Sequence, residues 1–536
     1  MKKISWLIWG LSGSCFGILP VFALTTSVGS GGIDALRLHK PPYNLSGRKI
    51  ALGQVEIGRP GQFGVDKSVS KNRSISLAGV FQRNKPARSN KGVDPHAYNV
   101  AGVMVSNDKG FRGVAPGARL YSSAVGSTKG MGQPEECLSA QHIALQNGND
   151  VRAINFSFGD PLSRDPRPEP VLDGKALLTL CVDWSSRVHN VLYAIAGNQG
   201  KGGIPIPTDN FNGVNVAFSS RRGEIFRKLD VSNLVAINES MAVRLAGKEL
   251  NLGPRRTISI VAPGNRILLL NPDGQTKKVT GTSFATPHLT GTVALLQEYG
   301  DRILKNLKKT PLQQKTPWSI DSRRHEVMKA VLLNSAEKIK DDGNGLKLGM
   351  TRTLIDKQNK DWLVSDAYKD KAIPLHTQMG TGHLNAFRAY QQFSAGQWTP
   401  SQAVPAIGWD YRAIFAGTSA EYNLAKPLQK GSFVSVTLAW DRLVELRDIN
   451  KDGKYNKGEI FRDRGLNNLD LYLVKADATA SDKGSICASV SRVDSVEHIF
   501  CQVPENGNYK IRVKFKNSVN EPTQPYALAW WTASKQ

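Results

Sequence analysis

The stretch Gly281-Thr282-Ser283-Phe284-Ala285-Thr286-Pro287-His288 decides how this chain is read, because it places a hydroxyl among small residues just before an apolar helical run, Leu289 to Leu296. A turn feeding a helix puts Ser283 at the helix mouth, where dipole and unpaired amides favour negative charge developing on a bound group. An isolated Gly-Thr-Ser would be an ordinary helix cap. A serine hydroxyl is a weak nucleophile near neutrality, so chemistry at Ser283 requires an imidazole base within reach, an anion behind that base and donors for an oxyanion.

Each part has a candidate. His96 sits in Asp94-Pro95-His96-Ala97-Tyr98-Asn99-Val100-Ala101-Gly102, Asn198 in Ile195-Ala196-Gly197-Asn198-Gln199-Gly200, and Glu56 in Val55-Glu56-Ile57-Gly58 at the end of a strand-like run. The string around Ser283 closely resembles the nucleophile motif of the subtilisin-like serine peptidases, the subtilases, and the order acid, His, Ser is that of subtilisin among the convergent triads. The His96 segment is similar through its histidine and trailing Val-Ala-Gly, and Gly113-Val114-Ala115-Pro116-Gly117-Ala118 resembles the segment leading into the family's next strand. The resemblance implies Asn198 and the Ser283 amide as oxyanion donors, and Glu56 in the place of the family's aspartate. Two departures stand out: Ala97-Tyr98 replaces the Gly-Thr that follows the family's histidine, and Glu56 carries one methylene more than aspartate. Asp66 is the reserve candidate for the acid. Ser157-Phe158-Gly159 resembles the segment that lines the family's cleft and pairs with a peptide as an added strand, with Gly159 and Gly197 letting substrate backbone approach. Weaker echoes at 260–264, 331–336 and 380–386 extend the resemblance over residues 45–395.

The rest of the chain fits that architecture. From Lys49 to Ala336 aliphatic runs (Lys49–Val55, Arg119–Ala124, Val151–Asn155, Val191–Ala196, Ile258–Val261) alternate with helix-like stretches (Leu138–Gln146, Ala176–Val188, Thr286–Glu298, Arg324–Ala336), as a parallel sheet with crossover helices requires. The fold class is therefore α/β, a subtilisin-like parallel sheet with flanking helices, followed by a mostly β sandwich. Its strands are expected at Phe433–Trp440, Leu469–Val474, Val496–Val503 and Tyr509–Phe515, punctuated by Gly, Asn and Asp turns. This half is similar to the C-terminal β-sandwich domains of many secreted bacterial peptidases. The expected layout is a signal peptide at 1–23, an N-terminal segment at 24–48, the peptidase domain at 49–395 and the sandwich at 396–536. Between Ala23 and Lys49 there is no room for a folded inhibitory pro-domain, which leaves latency to the N-terminal segment, to a partner or to neither.

Asp448-Ile449-Asn450-Lys451-Asp452-Gly453, then Glu459 after five more residues, matches a twelve-residue EF-hand loop. The ligands would be Asp448, Asn450, Asp452, the Lys454 carbonyl, Asn456 directly or through water, and Glu459, holding a structural Ca2+. Tyr455 replaces the usual aliphatic residue at the eighth position, and a strand, not a helix, precedes the loop. An isolated calcium loop between strands is expected, with no organic cofactor.

Composition and charge bound the rest. A chain of 536 residues with 40% apolar positions builds more than one core, and a formal charge of +25 gives a basic surface. The basic residues are scattered and accompany no zinc-finger, RNP or basic-heptad spacing, so a mostly solvated basic surface is expected and no specific nucleic-acid partner, with attachment to anionic surfaces as a weaker alternative. Lys2-Lys3, an uncharged run from Ile4 to Phe22 and Ala23 read as a signal peptide, with export to the periplasm or medium. A retained membrane anchor is the rival reading, and Cys15 makes only a poor lipobox because Ser12 stands where an aliphatic residue belongs. After cleavage no transmembrane anchor is expected. The remaining four cysteines allow three pairings; Cys137 with Cys181 and Cys487 with Cys501 keeps each pair inside one domain. The function expected is a secreted serine endopeptidase acting on proteins or peptides through an acyl-enzyme, and the alternative is a degenerate relative that serves as a peptide-binding scaffold.

Overall fold

The computed structural model describes residues 24–127, 132–197, 206–230, 255–307, 317–479 and 484–534. Its centre is a ten-stranded sheet that runs from β12 (Thr353–Ile355) through β8, β7, β6, β5, β1 and β4 to β2 (Leu77–Gln82) and β3 (Lys85–Pro86), with β9 beside β7. The strands that carry the argument are β1 (Ala51–Glu56), β4 (Arg119–Ala124), β5 (Val151–Phe156), β6 (Leu192–Ala196), β7 (Val214–Arg222), β8 (Ile225–Leu229) and β9 (Ile260–Pro263). The pairs β4–β1, β1–β5, β5–β6, β6–β7 and β7–β9 are parallel, so their carboxyl ends open on one edge. β1 and β5 are buried along their whole length, under helices that cover both faces, so that even their polar residues Gln54, Glu56, Arg152 and Asn155 lie inside.

On one face lie the helices Pro95–Val105 and Thr282–Leu307, sharing a core with Leu52, Leu120, Ala153 and Val216. On the other lie Gln133–Ala144 and Leu177–His189, which pack on Val55, Ile154, Phe156 and Ile195. The alternation of inward side chains along β1, Leu52 to one layer and Val55 to the other, is the period-two pattern of a strand buried on both faces. The helix at Ser283 is longer than the apolar run suggests. It begins at Thr282 and not at the expected Thr286, which places Pro287 inside the helix instead of in its first turn. The stretch 24–38 belongs to the same core: Leu24, Val28, Ile33, Ala35 and Leu38 are fully buried, and Ser27 Oγ lies 3.0 Å from His288 Nε2.

Beyond the helix Ala386–Ser394 the chain becomes β. Two antiparallel four-stranded sheets face each other, one in the order β13 (Ile407–Phe415), β22, β15, β20 and the other in the order β14 (Ser419–Asn423), β21 (Tyr509–Asn517), β18 (Asn468–Lys475), β19. Val434, Val436, Leu438 and Trp440 of β15 (Phe433–Trp440), with Leu528 and Trp530 of β22 (Thr523–Thr532), meet Leu469, Leu471, Leu473, Ile511 and Val513 of the second sheet. The other face of β15 is buried too. Ser435 and Thr437 donate to the Asn334 side chain at 3.0 and 3.1 Å, at the end of the helix His325–Asn334. Two disulfides are present, Cys137–Cys181 between the helices Gln133–Ala144 and Leu177–His189, and Cys487–Cys501 between β19 (Cys487–Ser489) and β20 (Val496–Gln502) of facing sheets.

The seam between the two halves is charged and buried. Arg442 donates to Asp183, which also accepts the Phe211 and Asn212 amides. His325, Glu326 and Asp441 cluster nearby, all buried and close enough to share an ion. The donor set favours an imidazolium instead: Nε2 faces Asp441 at 2.9 Å, and Nδ1 faces Glu326 and Asn190 at 3.1 Å each. Burial pulls the His325 pKa down, Asp441 and Glu326 push it up, and the net shift is upward.

Candidate active site

The residues singled out in the sequence converge on the carboxyl edge of the sheet. Glu56 is the last residue of β1, Ser157 follows β5 directly, Gly197 follows β6, and Ser283 is the second residue of its helix. Asn198 lies outside the described residues.

His96 is the second residue of the helix Pro95–Val105. Asp94 caps that helix, accepting the His96 amide at 3.0 Å, and Pro95 occupies the first turn, where its missing N–H costs nothing. Gln54, two residues before Glu56 and on the same face of β1, donates to the Ala97 carbonyl at 2.8 Å. This bond clamps the histidine helix onto the strand that bears the acid. Glu56 Oε2 lies 3.4 Å from His96 Nδ1; the carboxylate is buried, whereas the imidazole is 38% exposed. The contact is longer than an ideal charge-assisted bond, and the other oxygen, Oε1, is buried without a partner. Burial alone would lower the His96 pKa. The Glu56 charge and hydrogen bond, with help from Asp94, outweigh it, so the shift is upward, while Lys277 opposes it. Asp66 is not available to this imidazole: both its oxygens are held at 2.7 Å by the Arg59 guanidinium, and the Gln62 and Asn90 amides donate to them too.

Ser283 is half-buried, beside Phe284, whose ring centroid is 5.3 Å from that of His96. Its hydroxyl donates to the Ser157 carbonyl at 3.2 Å, and Ser157 Oγ donates back to the Ser283 carbonyl at 2.8 Å. Pro287 explains the second bond. The residue four places on from Ser283 has no N–H, so the Ser283 carbonyl lacks its intrahelical donor and takes the Ser157 hydroxyl in its place. The cleft segment and the nucleophile turn are thereby locked together.

Phe158, expected in the cleft wall, is 8% exposed and packs into the core against Phe156. Gly159 is half-buried. A Cβ at Gly197 would meet Ile258 and the Val216 carbonyl at about 3 Å, so this glycine is demanded by packing within the sheet. Next to Gly159, Asp160 pairs backbone-to-backbone with Ile206, and its carboxylate lies beside Glu136. Burial first, and then the Asp160 charge, push the Glu136 pKa up to about 9, so this acid pair retains a proton. Gln54, Phe284, Lys277 and the Glu136–Asp160 pair were not legible beforehand. The helix Pro95–Val105 was not among the expected helices either, although Asp94-Pro95, an acid before proline, is a helix-start signature.

With that geometry described, the comparisons converge. The chain belongs to the subtilase family, whose model matches residues 60–351, a stretch that includes His96, Asn198 and Ser283 but begins after Glu56. Subtilisin E from Bacillus subtilis (strain 168) is 28% identical over 280 residues, covering 51% of this chain and 62% of the relative. The subtilisin of Bacillus pumilus is 29% identical over 279 residues, covering 51% of this chain and 85% of the relative. The major intracellular serine protease of Bacillus subtilis is 28% identical over 209 residues, covering 38% and 55%. The chain thus spans about six-tenths of the length of several relatives, and the sandwich half lies beyond the family match.

Proposed function

We propose that this chain is an exported serine endopeptidase in which Ser283 attacks a peptide carbonyl, His96 takes the hydroxyl proton and returns it to the leaving amine, and Glu56 orients and charges His96. The observation that carries the reading is the Glu56–His96 contact beside Ser283, held by Gln54, Asp94 and the Ser157–Ser283 pair of bonds. The Ser283 amide at the start of its helix and the Asn198 side chain would serve the oxyanion; one such donor contributes about 100- to 1,000-fold in turnover. Substrate backbone would add as a strand along Ser157 to Gly159. Hydrolysis of an unstructured protein such as casein tests the reading: activity is expected from the intact chain and not from Ser283→Ala or His96→Ala. Undiminished hydrolysis by either variant would overturn it.

Residues 1–23 act in this reading as a cleaved export signal, and none of the described helices is long and apolar enough to cross a membrane. The chain divides functionally into the peptidase unit, 49–395, and the sandwich, 396–536, and its basic surface supports attachment to anionic matrices that salt reverses.

The residue types of the loop 448–459 support a calcium site, although among the described residues the acidic group already close enough to share an ion is His325, Glu326 and Asp441 and not the loop's carboxylates. The loop joins β16 (Val444–Arg447) to β17 (Ile460–Asp463). Gly453 has φ +73, the sharp turn the motif requires. The amide nitrogens of Asn450 and Asn456 reach Asp452 Oδ2 at 3.2 and 3.1 Å, and Asn456 Nδ2 reaches the Lys454 carbonyl at 3.2 Å, which draws four of the six ligand positions together. Asp448 accepts the Lys451 and Gly453 amides, and Glu459 those of Ile449 and Asn456, so the remaining two carboxylates close the loop at its ends. A Ca2+ held by Asp448, Asn450, Asp452, Lys454, Asn456 and Glu459 would supply structural cross-linking and no part of the acyl transfer.

A further inference from the structure

The general base returns its proton to the leaving amine, so the leaving half of a substrate runs out past His96 on the side away from Ser157–Gly159. That side is strongly basic. The hairpin β10 (Ile267–Leu270) and β11 (Thr276–Val279) runs into the nucleophile turn and borders the His96 helix, with Asn99 Nδ2 donating to Asn271 Oδ1 at 3.1 Å. On it Lys277 and Lys278 are exposed. Lys277, opposite Leu269 in the ladder, is near enough to act on the His96 charge. Lys278 stands opposite Leu268 on the other face, where Arg266 is also exposed. The hairpin's own acid, Asp273, sits at the turn and accepts the Gln275 amide.

A second group of cations flanks the same turn. Arg266 N donates to Thr280 Oγ1, and Thr280 Oγ1 to Asn265 Oδ1, which ties the nucleophile approach to the rim of a cavity of about 550 Å³. Arg222 and Arg227 from the β7–β8 hairpin line that cavity with Ser220 and Lys357, and no carboxylate is among its lining residues in the described part of the chain. Arg227 donates to the Lys357 carbonyl and retains a buried Nε with no partner among the described residues, a donor left for a bound acceptor.

The geometry points to a leaving-side subsite selective for acidic peptides: the enzyme cleaves preferentially where Asp or Glu follows the scissile bond, with Lys277, beside His96, meeting the first leaving residue and Arg222 and Arg227 accepting a carboxylate further on. This rests on the peptidase reading above. It names a substrate class for the site, and the general positive charge of the chain steers such substrates toward it.

Paired fluorogenic peptides test the inference. They share one acyl half, and their leaving halves carry Asp and Glu, Lys and Arg, or Gln and Ser. At low ionic strength the acidic peptide is expected to exceed the basic one in kcat/KM by about tenfold, since each exposed pairing contributes a factor of roughly two to five. That ratio should shrink as salt is raised and invert in the Lys277→Glu/Lys278→Glu variant, with Arg222→Glu narrowing it independently. Fluorophosphonate labelling of the same preparations separates the two failures. Labelled enzyme that cleaves all three peptides alike, or keeps its preference after charge reversal, overturns the acidic subsite and leaves the peptidase reading intact. Unlabelled enzyme overturns the peptidase reading, and the subsite falls with it.

Discussion

His96 is pulled in opposite directions by its surroundings, and the balance is testable. The burial that lowers its pKa is outweighed by Glu56 and Asp94, against the opposition of Lys277. The base works only when neutral, so the acid limb of kcat/KM should lie above the ordinary imidazole value of about 6.5. Glu56→Gln removes the upward push and should move that limb to lower pH while cutting the plateau, because the neutral amide no longer stabilises the imidazolium. Lys277→Glu removes the downward push and should move the limb to higher pH. A pH profile of peptide hydrolysis reads both shifts, and shifts of the opposite sign would refute the electrostatic account. At this scale the sequence was legible where chemistry fixes residue type: a serine before small residues and Pro-His, and a histidine after Asp-Pro. It was not legible where placement depends on the third dimension. Phe158 turns into the core, and the Gln54 clamp appears only when β1 and the His96 helix are seen together.

Among the elements, the hairpin β16–β17 shows how the second half engages the first. Tyr455, in the unusual eighth position of the calcium loop, is 1% exposed. It is buried among Cys137, Cys181, Trp184 and Val444, with its ring stacked on Phe461 at 5.2 Å. Its backbone is held on both sides by Gln141, whose amide donates to the Tyr455 carbonyl at 3.1 Å and whose oxygen accepts the Tyr455 N–H at 2.5 Å. The aromatic residue that departs from the motif thus anchors the loop to the disulfide-linked helices. Tyr455→Ala should destabilise the protein by about 2–4 kcal/mol through the lost burial and the cavity left behind. Calcium bound by the folded loop should raise the melting temperature, and chelation should lower it in the parent more than in Asp448→Ala/Asp452→Ala. Equal chelator sensitivity would exclude the loop as the calcium site. Periodicity located β4 and β15 to the residue, Arg119–Ala124 and Phe433–Trp440. It gave no warning of the hairpin β7–β8, whose second strand is short and mixed in polarity.

On the scale of the molecule, the sandwich is built into the peptidase. Within the sheet β13-β22-β15-β20, β15 is buried on both faces, which is why it reads as a mixture, with Val434, Val436 and Leu438 facing the sandwich core and Ser435 and Thr437 facing Asn334. A boundary drawn from composition at 395–396 conceals this, because helix and strand texture do not reveal which face a sheet lends to its neighbour. The ionic seam follows the same logic. Arg442→Met leaves Asp183 buried without its cation and should cost about 3–5 kcal/mol, whereas Arg464→Met, which parts an exposed pair with Glu445, should cost under about 1 kcal/mol. Urea unfolding of the two variants checks the contrast, and equal midpoints would contradict the buried seam. Both halves are expected to melt in one transition for the same reason.

The central claim is that Ser283 is a nucleophile activated by His96. Fluorophosphonate labelling of the purified protein, with the modified residue located by mass spectrometry, tests it most directly. The expected result is stoichiometric modification of Ser283, abolished in Ser283→Ala and slowed by more than about a thousandfold in His96→Ala. Labelling at Ser283 at an undiminished rate without His96, or no labelling of a folded, calcium-loaded sample, would contradict it.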